Sequence, residues 1–397
     1  MNIVICSLKW MPLAWNVNIY WRSFHWRTFG EYKSNARGSL MRTSLQILIV
    51  VLFLAIGVFP KSALAINAWP AAPVGGVYAV NAVQSSGQID PAVLSNPSVD
   101  GVMLFFNWSS VEPVENQFNW KSVDSRIAQA AAAGKTVSLT IMAGFQAPAW
   151  VYADGAKSFK FVWDRNWGPP LCSVQSIPLP WDSVYQAKWD AFITAFGARY
   201  DANPTVAHVK FTGLNSKTPE IFLPISKNES ISNGKVSCRG YNDVANWQAA
   251  GYTRVKIESA WSQVSSAYLA AFPDKPLAAM MLPKAFPPID DNGNLIAGAT
   301  DDPQATSDMV AYSVTLYGRQ FMLQNDGLSN TWIWPFEGTY AGQLNTGYQM
   351  VGIMGTRLAG ADSLALGAGA VFVEIYNSDL DNTALAPTIA TLHARLP

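Results

Sequence analysis

Charge is scarce in this chain, and what there is cancels. Lys and Arg together number 27, Asp and Glu 27, and charged residues make up only 14% of the sequence. A neutral chain lacks the field that draws in nucleic acid, so no nucleic-acid partner is expected. Histidine and cysteine are scarcer still, with three of each. One of each, His25 and Cys6, lies far upstream of the first regular element. The remaining His208, His393, Cys172 and Cys238 show no C-x-x-C or H-x-x-x-H spacing, so a zinc site is not expected. Two histidines also leave little room for a Ser-His-Asp triad. No Gly-rich turn follows an early strand, which argues against a dinucleotide cofactor, and no cofactor of any kind is expected. Long apolar runs are missing too. The one candidate, Leu45–Val58, is too short for a comfortable membrane span.

That run has another reading. Met41-Arg42 supplies a basic start, Leu45–Val58 the apolar centre, and Ala63-Leu64-Ala65 the small residues a signal peptidase reads. The expectation is a signal peptide over 41–65, preceded by a non-native upstream extension over 1–40 and followed by a mature domain over 66–397. Such a chain is secreted or periplasmic, keeps no stable membrane span, and meets conditions in which cysteines pair.

What is abundant is apolar and aromatic. Half the residues are hydrophobic and 16 are Trp, enough for a large core with Trp to spare for sugar rings. Downstream of 66 the pattern alternates strand and helix. Strands are expected at Gly76–Val80, Asp100–Phe106, Lys135–Ile141, Thr205–Phe211, Lys275–Leu282, Gln320–Gln324, Gly347–Val351 (weakly) and Ala370–Tyr376. Helices are expected from Asn119 to Ala133, from Asp182 to Tyr200, within Asn242–Ala271, from Ser307 to Tyr317, after the seventh strand toward Leu366, and from Thr383 to Leu396. Eight such units predict an α/β fold, a single-domain (β/α)8 barrel with long loops at the C-terminal ends of its strands. Cys172 and Cys238 fall in the loops after the third and fourth strands, which are neighbours in a barrel, so they are expected to form a disulfide.

Chemistry in such a barrel sits at the strand ends. Glu220 follows the fourth strand, and Glu374 lies inside Val371-Phe-Val-Glu-Ile-Tyr376, flanked by apolar residues. An acid there is either functional or held by a cationic partner. Two carboxylates are what glycosidic hydrolysis needs, one to protonate the leaving oxygen and one to attack or to activate water. Glu220 is the expected acid/base and Glu374 the expected nucleophile. Glu337, in an aromatic loop, is the next acid to consider for that second role. Glu112, before Pro113, reads as a structural brace, and His208 as a hydrogen-bonded barrel residue. Trp108, Trp150 and Trp334 are candidate sugar platforms, and Asn107, Asn215 and Tyr376 candidates for holding hydroxyls or orienting a carboxylate. The expected partner is an oligo- or polysaccharide. Two rivals remain, a catalytically inactive polysaccharide-binding barrel, and a barrel enzyme of another class such as a lyase, for which Lys210 is the only hint.

Several stretches resemble one clan. Trp108-Ser-Ser-Val-Glu-Pro-Val-Glu-Asn-Gln-Phe-Asn-Trp120 is similar to the second-strand loop of β-galactosidase-like barrel glycosidases. Ala147-Pro-Ala-Trp150 resembles their third-strand loop, and Trp189–Tyr200 followed by Asn203-Pro204 resembles the helix leading to their acid/base. The resemblance implies a retaining enzyme with an acid/base Glu after strand four and a nucleophile Glu at strand seven. Two features depart from it. Thr218-Pro219, not Asn, precede Glu220, and the strand count puts Glu374 on the eighth strand. Either Gly347–Val351 is no barrel strand or Glu374 is not the clan's nucleophile.

Overall fold

In a computed structural model of the chain, residues 74–397 are described except 166, 227–229, 233–236, 240–241 and 341. The expected leader and cleavage site lie outside the described residues. Ile66–Pro397 forms one compact unit. Its strands are β1 (Gly76–Val80), β2 (Gly101–Asn107), β3 (Thr136–Met142), β4 (Ser158–Val162), β5 (Val174–Pro178), β6 (Val206–Lys210), β7 (Ser230–Ser232), β8 (Ser237–Arg239), β9 (Leu277–Met281), β10 (Phe321–Leu328), β11 (Asn345–Met350) and β12 (Ala370–Tyr376). Eight of these close a barrel in the order β1-β2-β3-β6-β9-β10-β11-β12. Every pairing in it is parallel. The hairpins β4–β5 and β7–β8 decorate the loops after β3 and β6.

The main outer helices are α1 (Lys121–Ala132), α2 (Ser183–Tyr200), α3 (Asp243–Ala249), α4 (Arg254–Ala271), α5 (Pro303–Tyr317), α6 (Leu358–Gly367) and α7 (Ala386–His393). Asp182 caps α2 as expected, accepting from the N–H groups of Val184 and Tyr185. Asn119 does not cap α1, which starts at Lys121 with Trp120 before it. The segment read as one long helix is two, broken at Gly251, whose φ of 76° is left-handed. No described helix is long and apolar enough to cross a membrane.

The weak seventh strand is a barrel strand. Gly347 lowers its propensity, yet a Cβ there would lie 2.0 Å from the Phe372 ring, so the gap left by glycine is filled by that ring. With β11 in the barrel, Glu374 belongs to the eighth strand.

Within the barrel, side chains two apart on a strand share a face and form layers. The lower layer holds Tyr78, His208, Met322 and Phe372, all buried. His208 corrects an expectation. Neither of its ring nitrogens has a hydrogen-bond partner among the described residues, and it packs against the Tyr78 and Phe372 rings at 5.4 and 5.1 Å. Burial, and then the Lys210 charge, push its pKa well below 6.5. The unfolded chain therefore takes up this proton first. Stability is complete above pH 6.5 and falls as pH drops below it, by up to about 1.4 kcal/mol per pH unit. Urea midpoints measured at pH 7.5 and pH 5 should show a smaller acid loss for His208→Met than for wild type.

The disulfide forms as expected, with Cys172 and Cys238 at a Cα separation of 5.2 Å. It ties the β3 loop to the β6 loop. Spanning 66 residues of sequence, it contributes about 4 kcal/mol in the chain-entropy description. Cys172→Ser/Cys238→Ser should lower the denaturation midpoint accordingly, and an unchanged midpoint would refute that contribution.

Candidate active site

One layer above His208, the barrel interior turns polar. Lys210, Gln324 and Glu374 follow His208, Met322 and Phe372 by two positions, so they occupy the next level toward the strand C-termini. Lys210 and Glu374 are fully buried and form an ion pair through Nζ and Oε1. Gln324 Nε2 donates to Glu374 Oε2 at 2.8 Å and to Asp326 Oδ1 at 2.8 Å. Both oxygens of Glu374 are thus engaged, and the Lys210 charge offsets its burial. Lys210 is not free at the mouth, which removes the one hint of a lyase.

The third level is the mouth. Asp326 reaches it through an irregularity in β10, whose register against β11 shifts between Asn325 and Leu328. Asn325 stabilises this kink by accepting from Gly327 N at 3.0 Å. Asp326 was missed in the sequence because β10 was expected to end at Gln324. Its carboxyl pKa lies well above the ordinary range, chiefly from burial, then from the Glu220 charge; Glu374 adds to this and Lys210 opposes it.

Glu220 is brought to the same mouth by a loop that folds back on the barrel. Asn215 Oδ1 accepts from Gly213 N at 3.1 Å, and Asn215 Nδ2 donates to Thr218 O at 3.0 Å. Next to Glu220, Ile221 is fully buried and its N–H donates to Met280 O at 2.8 Å. Gly144 lets the β3 loop approach; with φ at 48°, a Cβ there would sit 2.5 Å from Ser216 O. Glu220 Oε2 is buried and has no partner among the described residues.

Glu220 and Asp326 are the carboxylates lining a cavity of about 620 Å³ at this mouth. The size suits a small saccharide. Its aromatic walls include Phe105 and Trp167, 39% and 48% exposed. Asn107 and Tyr376 line it as expected, and so do Gln146, Lys217 and Gln349. Burial raises the Tyr376 phenol to about 12, helped by the charges of Asp326, Glu220 and Glu374. Lys217 is neutralised by Asp164 at 2.6 Å.

The remaining candidates lie elsewhere. Trp108 is fully buried among Trp150, Tyr185, Trp189 and Phe192, and offers no face to a sugar. Its indole N–H donates to Glu112 Oε2 at 2.7 Å, while the Trp150 N–H donates to Glu112 O at 3.1 Å. Glu112 is therefore the expected brace, and the two Trp residues are its partners, outside the cavity lining. Trp334 is half-buried and stacks on Phe336 at 4.7 Å. Asn215 shapes the Glu220 loop rather than the cavity wall. Glu337 is fully buried, and burial raises its carboxyl to about 8, so it is neutral near pH 7. Among the described residues, no group of three or more His, Cys, Asp or Glu could hold a metal ion.

This arrangement, two acids facing one aromatic-walled cavity at the C-terminal rim of a barrel, can carry out acid/base and nucleophilic work on an acetal. Residues 89–212 match the family model Glyco_hydro_42, described as beta-galactosidase. That stretch, less than half of the chain, is similar to this family. Solved structures with the same fold include the catalytic domain of beta-amylase from Paenibacillus polymyxa, 11% identical with a TM-score of 0.52, covering 76% of this chain and 91% of that one. A looser likeness is to a beta-galactosidase from the psychrophilic Marinomonas ef1, 12% identical with a TM-score of 0.47, covering 76% of this chain and 53% of that one. The chain thus spans about half the length of that beta-galactosidase. No curated protein matches the chain.

Proposed function

We propose that the chain is a secreted glycoside hydrolase that cleaves a β-linked glycan by a retaining double displacement. The observation that carries this is the shared cavity of Glu220 and Asp326. Glu220, partly exposed after the fourth barrel strand, is the acid/base. The attacking carboxylate was expected at Glu374, but Glu374 is sealed beneath the cavity with both oxygens engaged. Asp326, linked to Glu374 through Gln324, has the better access and takes the nucleophile's role. Glu374 then acts as a fixed anion holding Lys210 and Gln324 in place. With burial and Glu220 raising the Asp326 pKa, the two cavity acids share one proton in the empty site. Turnover needs that shared proton on Glu220, which gives it to the leaving oxygen, while Asp326, freed of it, attacks as the anion, held by the Gln324 hydrogen bond and favoured by the Lys210 charge.

The β linkage rests on the match to a beta-galactosidase model. Export rests on the leader pattern and is supported by the disulfide. One observation favours a second reading. The seventh barrel strand, where the resemblance implies the nucleophile, presents the amide Gln349 to the cavity. A barrel that binds glycan without cleaving it would keep that amide. The experiment that decides is a panel of β-linked polysaccharides and aryl β-glycosides, read for both binding and release of reducing ends. Release from at least one member, lost in Glu220→Gln, supports hydrolysis; binding without release supports the second reading.

A further inference from the structure

A second cavity, of about 590 Å³, adjoins the first and shares Asn81, Met103, Phe105 and Asn107 with it. Phe105, on β2, forms part of the wall between them. Beyond it the lining mixes apolar side chains such as Val83 and Val111 with amides and hydroxyls from Asn119, Ser110 and Ser122, and among the described residues it has one charged group, Arg126 of α1. Among the described residues, no carboxylate lines this cavity. Arg126 makes no salt bridge among the described residues; its Nε donates to Gly87 O at 3.3 Å, and its guanidinium lies 4.7 Å from the Phe106 ring centroid. The acid nearest to it in sequence, Asp124, lies on a different face of the helix and is held by Arg199 and Tyr200.

The geometry points to a second sugar subsite in this cavity, one that selects a residue carrying an anionic substituent, a uronate carboxylate or a sulfate ester. The inference rests on the glycan reading of the first cavity. Charge separates the two subsites. Glu220 and Asp326 repel an acidic group from the first cavity, where the one cation among the described lining residues, Lys217, is already matched by Asp164. Among the described residues of the second cavity, a guanidinium without an ion-pair partner is the only charge, and its planar fork suits two anionic oxygens. Amides and hydroxyls around it accommodate sugar hydroxyls, and exposed Phe105 offers a ring face between the subsites. The preferred chain carries a neutral residue at the carboxylates and an acidic one beside it.

The test is calorimetric binding to the full chain carrying Glu220→Gln, so that nothing turns over. The probes are a uronate-containing tetrasaccharide, its carboxyl-reduced neutral counterpart, and a sulfated form of the neutral chain. The expected result is roughly tenfold tighter binding of one or both anionic chains, and the pair of anionic arms tells carboxylate from sulfate. Adding Arg126→Gln should erase that preference, while Arg126→Lys should keep the part that charge alone supplies and lose the part owed to the fork. Equal binding of neutral and anionic chains, or a preference that survives Arg126→Gln, would overturn the subsite while leaving the glycan reading intact. A preference lost equally in Arg126→Lys would overturn charge as its cause. If none of the probes binds at millimolar concentration, the subsite falls together with the glycan reading.

Discussion

Glu220→Gln should lower kcat/KM by about 10²–10⁴-fold, the usual contribution of a positioned general acid, with little change in substrate affinity. The amide keeps the size of the side chain and loses the proton that the leaving oxygen needs. Activated aryl glycosides, whose leaving groups need little protonation, should lose far less in the first step. Glu220→Ala leaves space beside the sugar, so added azide should restore turnover and yield a glycosyl azide of retained configuration. Asp326→Asn should be more severe, because no covalent intermediate can form and azide cannot replace the attacking group. The pH profile carries the same information. The active form holds one proton on the pair, so the rate should be bell-shaped. The Asp326 pKa is raised, so the last proton leaves the pair above the ordinary carboxylate range near pH 4. The alkaline limb should be displaced upward accordingly. A rate that falls through pH 4 as the pair deprotonates would contradict it.

The largest effect on stability is expected at Lys210. Lys210→Met leaves the Glu374 carboxylate buried without its cation, and breaking a buried pair costs about 3–5 kcal/mol. Without Lys210, burial favours the neutral form of Glu374. The destabilisation should therefore be largest at neutral and alkaline pH, where the carboxylate must either stay charged or take up a proton from dilute solution. It should shrink as pH falls and protonation becomes easy. Lys210→Met/Glu374→Gln removes both charges and should recover much of the loss. Chemical denaturation of both variants at pH 5 and pH 8 measures this. Equal losses for single and double variants would mean that the ion pair is not the source.

The barrel was legible because its signal is repeated. Continuous apolar runs such as Val102–Phe106 and Leu277–Leu282 alternate with helices at regular spacing, and the eight strands found match those expected. Strand seven was faint because Gly347 yields its interior space to Phe372, a relation between distant segments that no local window contains. The site was legible in part. Glu220, Asn107 and Tyr376, named as candidates from the sequence, all line the cavity. Glu374 was expected to be the nucleophile; the alternative weighed for an acid in an apolar strand, a cationic partner, is what the structure shows, with Lys210 in that place. Asp326 was missed because Asn325 and Gly327 look like the end of a strand. The signal was present all the same. Met322-x-Gln324-x-Asp326 repeats the alternation of Phe372-x-Glu374-x-Tyr376, an apolar layer followed by a polar layer and then the mouth. Trp108 and Trp150 misled because their motif reads as a sugar platform, whereas Glu112 draws both indoles to itself. An indole N–H seeks the nearest buried acceptor, and sequence does not say whether that is a sugar or a carboxylate.

The central claim is that Asp326, which shares a cavity with Glu220, is the carboxylate that attacks. A 2-deoxy-2-fluoro glycoside of the sugar found in the substrate panel, bearing a good leaving group, should accumulate as a covalent glycosyl-enzyme. Proteolysis and mass spectrometry then locate the label. The expected result is one sugar on Asp326, with labelling abolished in Asp326→Asn and retained in Glu374→Gln protein that remains folded. A sugar found on Glu374, or none bound while the substrate is still hydrolysed with inversion, would contradict the account.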